Sequence, residues 1–97
     1  MVIGVCRVTL HLPASHSLKD KRQVVRSLLE RLRNRFNIAV AEVDDQDRWQ
    51  IVTLGLVCVS NSAVVADEVL THVQEYIEHV RLDAMVTEVT REVTHIL

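Results

Sequence analysis

Lys19, Arg22, Arg26 and Arg33 recur at steps of three, four and seven, which on a helix sets four cations in one stripe. The chemistry open to such a stripe is capture of a polyanion. Seven of the chain's eleven Lys and Arg residues lie between Ser17 and Asn37. Three of them, Lys19, Lys21 and Arg22, fall where a helix begins, and there each cation opposes the helix dipole by about 0.3–1 kcal/mol. Cations at an unfavourable position beside Ser15 and Ser17 read as a phosphate cradle. The candidate anion or nucleic-acid site is therefore Ser17, Lys19, Lys21, Arg22, Arg26 and Arg33. The competing reading pairs these cations with Asp67, Glu68, Glu75 and Glu78 of a second, acidic helix.

Other constellations carry less. Glu42, Asp44, Asp45 and Asp47 cluster in a turn, but a calcium loop needs a Gly and a bidentate Glu at fixed spacing, and both are missing here. Asp serves turns readily, so a solvated turn is expected. Glu42 shares a face with Ile38 and Val40, and is expected to be partly buried against an Arg. Glu68, His72, Glu75 and His79 form a helical stripe that reads as a solvent-facing polar face, with no third element to complete a metal site. Ser15, His16 and Ser17 lack the positioned acid and oxyanion hole of a hydrolase. No catalytic residue, metal or cofactor is expected, and the protein reads as a binding protein more than an enzyme.

The elements that must position the basic stripe follow from periodicity. Val2 to Leu12 alternates as a half-buried strand, with Val2, Gly4, Cys6, Val8, Leu10 and Leu12 on one face. Pro13 ends it, and Ser17 with Asp20 three residues on marks a helix start. Leu18, Val25, Leu28, Leu29, Leu32 and Phe36 form the inward flank of a helix over 18–35, which Asn37 is expected to close in a left-handed or turn conformation. Ile38 to Val43 and Trp49 to Val59 read as a hairpin with a loop of about four to five residues. Ser60-Asn61-Ser62 starts a second helix to about Val80, its inward residues Val65, Val69, Val73, Tyr76, Ile77 and Val80, with Asp67 and Glu68 in the first turn. Met85 to Leu97 is rich in Val and Thr and reads as a fourth strand.

This order, β-α-β-β-α-β, is the ferredoxin-like split βαβ of the α+β class: a four-stranded antiparallel sheet with both helices on one face and strands one and three central. At 97 residues the chain is expected to form a single domain over 1–97. The helices leave one sheet face open, where Ile3, Val5, Val57 and Val59 make an apolar patch suited to self-association, so a homo-oligomer is expected.

The bulk properties exclude several classes. With 48% hydrophobic and 25% charged residues, the composition is that of a folded globular protein. No apolar run is long enough to span a membrane and the N-terminus has no basic signal region, so a cytoplasmic, membrane-free protein is expected. Cys6 and Cys58 have no zinc or disulfide spacing and are expected to be buried thiols. The net charge of −2 conceals a split: residues 1–36 carry eight bases and two acids, residues 37–97 three bases and eleven acids. Such asymmetry suits a basic recognition face. The aromatics are Phe36, Trp49 and Tyr76 alone, none central on strands one or three, so bases are not expected to stack on the sheet.

The segments Ser17 to Arg22 (SLKDKR) and Arg35 to Gln50 (RFNIAVAEVDDQDRWQ), with Leu54-Gly55 and Val59-Ser60-Asn61, resemble the YlxP-like family of small bacterial proteins. The resemblance runs over essentially the whole chain and is loosest in the last strand. It implies a ferredoxin-like fold, and the family's placement among translation and ribosome-maturation genes suggests ribosomal RNA or the ribosome as a partner. The family brings no catalytic or binding residue to carry over and no known small-molecule ligand. The sequence therefore points to an RNA- or ribosome-associated binding protein acting through the basic helix, the alternative being a homo-oligomeric interaction module that uses the open sheet face.

Overall fold

Alternation along the first strand decides which side of the sheet the core occupies. In the computed structural model, which describes residues 1–81 and 83–97, β1 spans Val2–His11 and buries Val2, Gly4, Cys6, Val8 and Leu10 on one face. The remaining elements are α1 Leu18–Arg35, β2 Ala39–Asp44, β3 Ile51–Ser60, α2 Ala63–Val80 and β4 Met85–His95. The strands pair antiparallel in the order β2-β3-β1-β4, with β3 and β1 central as expected. This is the ferredoxin-like α+β arrangement.

Helix α1 starts as its sequence demands. Ser17 Oγ accepts from Asp20 N at 3.0 Å, and Asp20 Oδ2 accepts in return from His16 N at 3.0 Å, so two amides of the first turn are satisfied by side chains. The helix buries Val25, Leu28 and Leu32, and with them Lys21. Of the two endings expected at Asn37, the left-handed one is not adopted, and the chain bends at Phe36 and Asn37. Phe36 is extended at φ −126°, its N–H bonds to the Leu32 carbonyl, and Asn37 has no positive φ. Phe36 is held by edge-on contact with Tyr76, ring centres 5.7 Å apart, so tertiary packing ends the helix where the sequence offers no glycine.

Helix α2 presents the expected face through Val73 and Ile77, which are buried, and Val69, Tyr76 and Val80, which pack against the core, and departs from it at Val65. The buried residues are Ala66, Leu70, Val73 and Ile77, while Val65 is 47% exposed. A close approach to β1 explains the difference: a Cβ on Gly4 would sit 2.9 Å from Cys58 Sγ, 3.0 Å from Leu70 Cδ1 and 3.5 Å from Ala66 Cβ. Glycine in the strand and alanine on the helix let the two backbones meet, and a valine face would hold them apart. Because α2 begins at Ala63 with Ser62 as its cap, Asp67 and Glu68 also lie beyond its first turn.

The β2–β3 hairpin is the other departure. Strand β3 begins at Ile51, leaving Asp45 to Gln50 as the connection, longer than expected, with Trp49 outside the sheet. Asp45 makes the corner in the left-handed region, φ 57°, and its Oδ2 accepts from Thr53 Oγ1 at 2.7 Å. Val43 alternates with Ala39 and Ala41 onto the open face, at a register shift between Glu42 and Asp44, and sits above Gly55, where an added Cβ would lie 2.7 Å from Val43 Cγ1.

Candidate nucleic-acid interface on the first helix

The expected anion site separates into two populations with different fates. Lys21 is only 1% exposed. Its ammonium donates to the carbonyls of Asp45 at 2.5 Å and Ile51 at 2.9 Å, and lies 2.9 Å from Glu42 Oε2, a buried oxygen with no other partner. Two of its N–H groups go to backbone carbonyls and its charge is matched by Glu42, all inside the protein. Lys21 is therefore withdrawn from the surface site: it ties α1 to both ends of the β2–β3 connection, and it is the partner of Glu42 where an Arg was expected. Ser17 is likewise engaged, its hydroxyl capping the helix, and Ser15 is buried with its Oγ directed at the Ser17 carbonyl at 3.3 Å.

Lys19, Arg22, Arg26 and Arg33 are exposed and share the expected stripe. Among the described residues no carboxylate lies within 4.0 Å of any of the four. Arg33 uses one nitrogen to reach the Val40 carbonyl on edge strand β2 at 3.0 Å. That bond blunts the open edge and leaves the rest of the guanidinium at the surface. Between α1 and β2 runs a groove of about 460 Å³ lined by Arg22, Val25, Arg26, Leu29, Arg33 and Glu42, among others. The stripe forms its basic wall.

The acids expected to neutralise this stripe are turned elsewhere. Asp67 pairs with Arg91 of β4 at 3.1 Å, and Glu68, Glu75 and Glu78 are exposed without an ion pair to α1. The helices meet near the end of α1 through aromatic contact, with the Arg35 guanidinium 4.8 Å from the Tyr76 ring centre. The inter-helix salt-bridge reading of the charge split has no ion pair behind it among the described residues.

Arg91 carries no sequence signal of its importance. It lies across from Cys6 and spans to α2, donating to Asp67 Oδ1 at 3.1 Å, Thr71 Oγ1 at 2.8 Å and Gln74 Oε1 at 2.9 Å. Burial pushes the neighbouring Cys6 thiol up in pKa, and the Arg91 charge acts in the opposite sense. Cys6 and Cys58 are both free and buried, as expected. Arg81 and Asp83 form a two-bond pair at 2.8 and 2.7 Å, which holds the Asp83 carboxyl below the usual range.

On the open face, Ile3 opposes Val59 and Val5 opposes Val57 in the β1–β3 register, so the expected patch is contiguous. Val5 is 43% and Val59 66% exposed. An apolar groove of about 560 Å³ extends the patch towards β2, adding Val43, Ala39 and Ala41, with Arg7, Thr90 and Glu92 at its polar side.

A profile of the protein family of unknown function DUF503 matches residues 3–91. The chain belongs to that family. Among the similar proteins is the uncharacterised protein YlxP of Bacillus subtilis (strain 168), 39% identical over 62 residues, which cover 64% of this chain and 67% of the relative. A crystal structure of protein SO0527 from Shewanella oneidensis aligns over 96% of this chain and 90% of its own, with 19% identity and a TM-score of 0.43. The DUF503 assignment agrees with the resemblance read from SLKDKR and RFNIAVAEVDDQDRWQ. Among the described residues of this DUF503 chain, no helix is long and apolar enough to cross a membrane.

Proposed function

We propose that this DUF503 protein binds RNA, ribosomal RNA in its cellular setting, through the phosphate backbone, using Lys19, Arg22, Arg26 and the free part of Arg33. The supporting observation is that these cations are exposed, aligned on one rigid helix and without a carboxylate within 4.0 Å. Exposed cations paired with carboxylates would lose those partners on binding phosphate; among the described residues these four have no carboxylate to lose, and Arg33 alone is tied internally, by one nitrogen to the Val40 carbonyl. Three to four phosphate contacts correspond to a log–log salt slope of roughly −2 to −4, a modest and strongly salt-dependent affinity.

The test is Lys19→Glu combined with Arg22→Glu, measured for binding to ribosomal RNA at low salt and for thermal stability. Binding falls about tenfold or more, as expected for the loss of two phosphate contacts plus repulsion. Stability stays within about 0.5 kcal/mol, because no ion pair is broken and acids replace cations near the helix start. A wild-type protein that binds no RNA at low salt defeats the proposal.

A second reading rests on the open sheet face, with a second copy of this chain as its occupant. Arg7 and Glu92 sit on the polar side of the apolar groove, and no ion pair joins them within the chain. A two-fold arrangement matches each Arg7 to the other copy's Glu92 while closing Val5 and Val57 over their counterparts. Light scattering then gives a dimer for the wild type and a monomer for Val57→Lys. A wild-type monomer at high concentration removes this reading.

A further inference from the structure

Trp49 is the chain's single tryptophan, and it is 55% exposed. An indole buries more apolar surface than almost any other side chain, so a surface position leaves a large binding contribution unused. The connection carrying it is fixed on both sides. Lys21 holds the carbonyls of Asp45 and Ile51, which bracket Trp49 in the chain. Next to it, Gln50 donates to the carbonyls of Pro13 at 3.2 Å and Ser15 at 3.1 Å, and its own carbonyl accepts from Leu12 N at 2.8 Å. The indole therefore projects from a pinned backbone, and a ligand resting on it has little loop entropy to overcome.

Its surroundings select the ligand. A recess of about 510 Å³ is lined by Trp49, His11, Arg48, Gln50, Ile51 and Asp47. A flat aromatic wall, a hydrogen-bonding amide and an adjacent guanidinium suit a planar heterocycle that carries a phosphate. Asp47 lies on the rim, and Asp45 Oδ1 is 3.9 Å from Arg48 Nη1, a long contact that leaves the arginine side chain 62% exposed. The recess lies at the end of the sheet where α1 begins: Gln50 on its wall bonds the carbonyls of Pro13 and Ser15, in the connection that leads into the helix.

We infer that Trp49 is a stacking platform for one unpaired base of a single-stranded RNA whose neighbouring phosphates are held by Arg48 and the α1 stripe. The inference rests on the RNA-binding reading above and narrows it, since a base stacked within a duplex is not free to lie on an indole. It also differs from the sheet-face stacking of other ferredoxin-like RNA readers, because Trp49 stands on the hairpin connection, outside the strands.

Because Trp49 is the only tryptophan, its fluorescence reports on the site directly. Titration of the full chain with a single-stranded 12-mer oligouridylate at low salt quenches the emission to saturation, and a 12-base-pair RNA duplex quenches far less. Trp49→Ala weakens binding of a labelled 12-mer about 5- to 100-fold, the range for loss of one stacked base, while Trp49→Phe keeps most of the affinity. Circular dichroism of both variants matches the wild type, since the ring is mostly exposed. Binding that survives Trp49→Ala, with emission unquenched in the wild type, overturns the platform and leaves the α1 reading standing if Lys19→Glu with Arg22→Glu still abolishes it. Equal quenching by duplex and single strand also overturns it. No binding of either RNA by the wild type overturns both readings.

Discussion

Replacing Lys21 by alanine lowers the stability of the fold by about 3–5 kcal/mol, the cost of breaking a buried ion pair from one side. Glu42 Oε2 would keep its burial and lose the ammonium 2.9 Å away, and the carbonyls of Asp45 and Ile51 would lose their donor in the same step. For a chain of this length the melting temperature drops by more than about 10 °C, against a total stability of about 5–15 kcal/mol. Thermal and urea melts measure it. The combination Lys21→Met with Glu42→Leu recovers part of the loss, because no unpaired carboxylate remains, although the two carbonyls stay unpartnered. A Lys21→Ala protein that melts with the wild type would mean that water replaces the ammonium at no cost, and the internal role given to this lysine would fall. The same variant loosens the connection that carries Trp49, so its RNA affinity falls although its stripe is intact.

Arg91→Ala is expected to cost about 1–3 kcal/mol, through hydrogen bonds lost to Asp67, Thr71 and Gln74 together with the packing of the arginine stem. Among the described residues it is the side chain of β4 that hydrogen-bonds three residues of α2, so the loss concentrates in how that helix sits on the edge of the sheet. Hydrogen exchange resolves the location: amides of α2 and β4 lose protection before those of β1 and β3. Cys6, its cross-strand neighbour, becomes more accessible to thiol reagents in the same variant. Arg91→Lys keeps the charge near Asp67 and recovers only part of the loss, because one ammonium cannot span the positions that the guanidinium fork reaches. Uniform loss of protection across the sheet would show that Arg91 serves general solubility and does not clamp the helix.

Both arginines and lysines looked alike in the amino-acid string, and their roles diverge for reasons of geometry. Lys19 and Lys21 flank the same aspartate. A two-residue step on a helix moves a side chain 200° around the axis, which puts one on the solvent face and the other beneath the β2–β3 hairpin. Helical periodicity shows that the two diverge, but the hairpin waiting above Lys21 belongs to a segment some twenty residues away. The same holds for Trp49. Its β propensity and the neighbouring apolar run argue for a strand, and only the corner at Asp45, tied by Lys21 and Thr53, holds it out of the sheet.

The properties legible in the linear chain are those carried by local periodicity and capping. The alternation of Val2, Gly4, Cys6, Val8 and Leu10, the Ser17–Asp20 start, the Ser62 cap and the element order together imply the β2-β3-β1-β4 sheet, because strand pleat, helix pitch and crossover handedness are short-range rules. The family is legible in the same way, from contiguous residues. Tertiary structure alone decided that Ala66 and Leu70, and not Val65, take the innermost positions at the start of α2, since that depends on Gly4 and Ala66 meeting across two elements. It also decided which cations stay free: Lys21 is neutralised from β2 and the hairpin, Asp67 is claimed by β4, and Lys19, Arg22 and Arg26 keep an open stripe. A charge's availability depends on every element that packs against it, and a linear pattern records only the element it belongs to.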